Sequence, residues 1–133
     1  MIRLINSILK IDYNLSAWFS STKYRIIPGA AFLFLNKLTL LIAAAYFIVL
    51  PLLPFKFSSV IAIGMLCCLV LLIMYGLQSN IEAAVRNLNY SKEYSRLSNK
   101  EKVLHRVYGL VIFISCFILM FVIGVNSFTG YGK

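Results

Sequence analysis

The stretch from Phe57 to Leu77, FSSVIAIGMLCCLVLLIMYGL, carries no charge, no Asn or Gln and no proline. As a helix rising about 1.5 Å per residue, it matches the roughly 30 Å hydrocarbon layer of a bilayer. The rest of the chain has to be compatible with a membrane span at this place.

Charge is sparse and segregated. Of the 133 residues 61% are hydrophobic and 13% charged, where a soluble domain carries about a quarter. The charges fall in residues 1–25, in Glu82 to Arg106 and at Lys133, with only Lys37 and Lys56 elsewhere. Charged blocks separating apolar runs mark a polytopic membrane protein, one integral-membrane domain over residues 1–133. The net charge of +9 fits basic residues beside membrane spans and their attraction to anionic headgroups. No basic stripe is interleaved with aromatics as single-strand binders require, so no nucleic-acid partner is expected.

Residues 1–25 lack a continuous apolar run and so do not read as a cleavable signal peptide. Ile2, Ile5, Ile8 and Leu9 recur at helical spacing with polar residues opposite, followed by Tyr13, Trp18, Phe19, Lys23, Tyr24 and Arg25. This pattern predicts an amphipathic helix lying in the headgroup region. Docking against a partner helix would use the same face.

Pro28 and Gly29 interrupt the pattern, and the first span is expected at about 32–52. Lys37 lies inside it. With no acid expected within the spans, Lys37 is read as snorkelling to the headgroups; a helix beginning near Pro28 would bury it deeper and make it a functional candidate. Pro51 and Pro54 end the segment, and a short connection leads to span 2 at 57–78. The helical stripe continues through Ile81, Ala84, Val85 and Leu88, so the helix should project beyond the membrane before a polar turn over Asn89–Ser98. Residues 79–106 form a helical hairpin between spans 2 and 3. Ser98-Asn-Lys-Glu101 is a capping box that starts the helix of span 3, at 107–126. The tail NSFTGYGK has turn chemistry.

The predicted fold is therefore an all-α membrane protein of three transmembrane helices, with an N-terminal interfacial helix and a cytoplasmic hairpin. Both strongly basic regions lie on one side of a three-span topology. The positive-inside rule then places the N-terminus in the cytoplasm and the C-terminus outside, as in a bacterial inner membrane.

No catalytic, cofactor or metal set is evident. His105 is the single histidine, and the acids Asp12, Glu82, Glu93 and Glu101 all fall outside the expected spans. Cys67, Cys68 and Cys116 lie in apolar runs. The first two point about 100° apart on a helix, which suits packing and not a shared metal. Gly64 and Cys68 have small-xxx-small spacing, and Gly109, Cys116 and Gly124 share a face, making these five the candidate helix-packing residues. Arg86, Tyr90, Tyr94 and Arg96 are the candidate partner-docking residues, since Tyr and Arg often anchor interfaces. The expected partners are the lipid bilayer and another membrane protein or a second copy. These features lead to a non-enzymatic accessory or structural subunit of a larger inner-membrane complex. A membrane immunity protein against a pore-forming toxin is the alternative, and a holin-like pore former a third.

Overall fold

The computed structural model describes residues 2–53 and 58–131. Every regular element among them is helical: α1 (Ile2–Phe19), α2 (Ile26–Val49), α3 (Ser59–Asn87), α4 (Tyr90–Arg96) and α5 (Asn99–Tyr131), with 3-10 turns at Lys23–Arg25 and Leu50–Leu52. Three helices are long and apolar enough to cross a membrane, within Lys23–Leu52, Val60–Asn87 and Asn99–Ser127. Exposed side chains such as Val60, Leu72 and Tyr75 project along α3, a surface that hydrocarbon solvates without cost and water does not.

α2 is the central element. In its most apolar stretch 39% is buried, against 6% for α3 and 17% for α5, because α2 packs on α1, α3 and α5 together. It starts at Ile26, earlier than the expected span near residue 32. Pro28 is accommodated in the first turn, where the missing N–H would have had no helical partner. α2 stops at Val49 as Pro51 tightens the chain into a 3-10 turn, and Leu53 is extended (φ −72°, ψ 141°), the conformation a residue before proline adopts. The expectations for Pro54, Lys56 and Phe57 lie outside the described residues. At this end Tyr46 donates to the Ala62 carbonyl at 2.9 Å and Ser127 Oγ to the Phe47 carbonyl at 2.7 Å. These bonds tie α3 and α5 to α2 through groups that lipid cannot satisfy.

α3 begins at an N-cap, Ser58, whose side chain accepts from the Ile61 amide. It runs past the apolar stretch to Asn87, as the continuing stripe predicts. Asn89 (φ 47°) then adopts the left-handed conformation, which asparagine tolerates better than most residues. The segment expected as a polar turn is instead largely helical, forming α4. The capping box is present: Glu101 N donates to Ser98 Oγ at 3.3 Å and Ser98 N to Glu101 Oε2 at 2.8 Å. α5 does not end near residue 126 but continues through the tail to Tyr131; Gly132 and Lys133 lie outside the described residues.

The N-terminal segment departs most from expectation. Asp12, Tyr13, Asn14, Leu15 and Ser16 are all buried. Five consecutive helical residues, about 100° apart, cover the whole circumference of a helix. A helix resting on a membrane surface buries one face only, so this half of α1 is enclosed by protein. Leu9 and Tyr13, from the stripe assigned to lipid, pack with Ala30, Val85 and Tyr90. The basic ends of α2, α3 and α5 therefore close around α1.

Candidate functional site

The site is a buried polar cluster where α1 crosses the bundle. Asp12 lies on the apolar stripe, seven residues after Ile5 and three after Leu9, so the helix turns it inward with them. Lys37 stands on α2 two turns beyond Gly29. Its Nζ donates to Asp12 Oδ1, and both side chains are buried, at 5% and 0% exposure. Lys37 thus neither reaches the headgroups nor lacks a counter-charge, and the expectation of snorkelling is corrected. The partner at the end of its stem is a carboxylate of the same chain.

Three further contacts hold the same region. Asn14 Nδ2 lies 3.4 Å from His105 Nδ1 on α5, and the amide nitrogen can only donate. Ser16 Oγ donates to the Ile26 carbonyl at 2.8 Å, tying α1 to the first residue of α2. The Arg106 guanidinium lies over the Trp18 ring, 5.5 Å from its centroid, a cation–π contact. Asp12 Oδ2, Asn14 Oδ1 and Arg106 Nε have no hydrogen-bond partner among the described residues. Burial pushes the Asp12 carboxyl up from 3.8 to about 6, overcoming the opposing pull of Lys37.

Glycines set the spacing. A Cβ at Gly29 would lie 2.3 Å from Ser16 Oγ, so the α1–α2 elbow closes only over a bare backbone. A Cβ at Gly109 would lie 3.1 Å from Ile11 Cγ2, and one at Gly124 would lie 3.3 Å from Phe47 ring carbons. Gly109 and Gly124 are therefore close-packing positions, facing α1 and α2 respectively. Gly64 has nothing within 4 Å, and Cys68 is exposed while Cys116 is half-buried. Gly64 and Cys68 take no part in packing within this chain.

The four candidate docking residues divide. Arg86 and Arg96 are exposed. Tyr90 is buried, at 4% exposure, with its ring edge-on to Tyr13 at 5.5 Å, and Tyr94 meets Tyr13 at 5.8 Å. These tyrosines were expected on a hairpin in water. They instead clamp α4 onto α1, because an aromatic ring gains more by packing against another ring than by exposure. Lys10 joins the clamp, bonded to Glu93 Oε2 at 2.6 Å and lying 5.2 Å from the Tyr90 centroid.

The buried ion pair was the element missed from sequence, and its signal was present: a lone carboxylate on an apolar stripe, with a lone lysine inside a span. Among the described residues no three His, Cys, Asp or Glu side chains come together as metal ligands. The arrangement offers a charge-paired clamp between a terminal helix and a span. No family model, no curated protein and no solved structure matches this chain.

Proposed function

We propose that this three-helix membrane protein is a non-enzymatic accessory subunit of a larger complex in a bacterial inner membrane, with its basic end in the cytoplasm. The observation that carries the reading is the contrast between its two sides. The basic end is locked by the Asp12–Lys37 pair and the tyrosine clamp, while α3 stands almost uncovered. Between that bare face and Tyr46 of α2, Gly64, Cys68 and Leu72 line a groove of about 530 Å³. Small residues there let another transmembrane helix approach to backbone distance, the main source of helix association where lipid removes the hydrophobic drive. Lys37, the only charged residue within α2, is already neutralised inside the chain, which suits a scaffold better than a carrier. Of the four candidate docking residues, Arg86 and Arg96 are the exposed ones that a partner would meet.

The test is copurification from native membranes in mild detergent, comparing the natural chain with Gly64→Leu. The reading expects a stoichiometric membrane partner, or a second copy, whose recovery falls about tenfold when the groove is filled. A chain that purifies alone, or a partner equally retained by Gly64→Leu, would contradict it. Orientation is tested separately. A cysteine introduced at Leu52, 77% exposed, should react with an impermeant thiol reagent outside intact cells, and one at Ser95 should not.

A further inference from the structure

At the basic end, beside the tyrosine clamp, a recess of about 220 Å³ opens between α1, the start of α2 and the α3–α4 turn. Tyr13, Ile27, Val85 and the Tyr90 ring form its apolar wall, and Arg86, Asn89 and Ser91 its polar rim. We propose that this recess binds the phosphate headgroup of an anionic phospholipid, with Arg86 as the anion ligand.

Five observations converge on that ligand. Arg86 has no ion-pair partner among the described residues; Glu82, one turn before it, accepts from Gln78, and Glu93 is taken by Lys10. Its guanidinium is thus a free, planar donor set, the group best matched to a phosphate. Ile27 lies near the start of the first apolar helix and Val85 near the end of the second, so the recess sits at the end of the bundle, at the depth where headgroups lie. Half of its lining is apolar, which fits the glycerol end of a lipid and not a fully hydrated ion. The volume is below the roughly 300–1,000 Å³ of pockets that enclose drug-sized molecules, and suits a headgroup whose chains stay in the bilayer. Exposed Lys23 and Arg25 precede Ile27 in the chain and exposed Lys92 follows Ser91, and basic pockets between transmembrane helices are a known mode of anionic-lipid capture. This inference goes beyond the subunit reading and does not depend on it.

The experiment is native mass spectrometry of the full chain in detergent, titrated with dioleoyl phosphatidylglycerol or dioleoyl phosphatidylcholine. One phosphatidylglycerol should be retained in preference to phosphatidylcholine. Arg86→Gln should weaken retention about tenfold, and Ser91→Phe, which narrows the recess without changing charge, should weaken it too. Lys100→Gln, the same charge change at an exposed position outside the recess, should leave it unchanged. Helix content by circular dichroism should be equal in all variants, since Arg86, Ser91 and Lys100 are exposed. Equal losses from Arg86→Gln and Lys100→Gln would overturn the site in favour of diffuse charge. Displacement of the lipid by millimolar inorganic phosphate would overturn the lipid assignment in favour of a free anion.

Discussion

Lys37, within the first membrane span, donates to Asp12 of the N-terminal helix, and the pair is closed off from solvent. A buried pair gains little over well-packed apolar residues, yet removing one partner strands a charge, at about 3–5 kcal/mol. The two single substitutions leave different groups unpaired. After Lys37→Met the pull of Lys37 on the Asp12 carboxyl is gone, so burial pushes that carboxyl further up and Asp12 can shed its charge by taking up a proton. After Asp12→Asn the Lys37 side chain is left in apolar surroundings without its carboxylate partner. Unfolding in mixed SDS micelles, followed by Trp18 fluorescence at pH 7, should therefore place both single variants below the natural chain. The double variant should lie close to the natural chain. Strictly additive losses would mean that the two side chains do not interact.

The Asp12 carboxyl also makes docking of α1 depend on pH. Its folded-state value, about 6, is above the 3.8 of an unburied carboxyl, so the folded chain binds this proton more tightly than the unfolded chain. The stabilisation is complete below 3.8 and is lost as pH rises towards and through 6. Asp12 is the only aspartate in the chain, so selective ¹³C-carboxyl labelling gives a single titrating resonance. Its midpoint should lie near 6. A midpoint near 3.8 would show that Asp12 faces water.

Glycine positions that look alike in sequence should respond in opposite ways. Gly64→Ala meets open space and removes backbone freedom from the unfolded chain, so the isolated protein should gain up to about 1 kcal/mol. Gly109→Ala presses on Ile11 and Leu15 and should cost about 1–3 kcal/mol, as overpacking does. Gly29→Ala forces Ser16 Oγ away from the Ile26 carbonyl, a loss of about 1 kcal/mol, and Ser16→Ala should abolish that penalty. SDS midpoints for the four variants check the order. A Gly109→Ala as neutral as Gly64→Ala would contradict the packing of α1 on α5.

The capping box at Ser98 and Glu101 holds the Glu101 carboxyl below its usual range, chiefly through the Ser98 amide. Its contribution is present above the unfolded value and is lost as pH falls through the lowered folded one. Ser98→Ala removes the hydroxyl but leaves that amide, so the Glu101 resonance should move only part of the way back. Full return to the ordinary glutamate value would assign the effect to the hydroxyl alone.

Much of this architecture was legible in the residues. Three apolar runs dictate three spans, the serine and glutamate spaced by three dictate the start of α5, and proline dictates the end of α2. What local pattern could not supply was the occupant of each face. Ile5 and Leu9 form a stripe that lipid, a partner or the chain's own bundle would satisfy equally. Asp12 on that stripe favours the bundle, because only protein offers a counter-charge there. Tyr90 and Tyr94 likewise give an interface composition, and whether that interface is internal depends on Tyr13, far away in sequence. Gly64 and Gly109 differ only in whether another helix crosses them.

The central claim, that the Asp12–Ser16 half of α1 is enclosed by the bundle, is tested most directly by cross-linking. The Cβ of Leu15 lies 3.7 Å from where a Cβ at Gly109 would sit, within the range a disulfide spans. The variant Leu15→Cys/Gly109→Cys, with Cys67, Cys68 and Cys116 replaced by alanine, should oxidise rapidly to an intramolecular disulfide in native membranes. Adding Asp12→Asn should slow that oxidation. Failure to cross-link in intact membranes, with both thiols open to small reagents, would place α1 away from α5 and contradict the account.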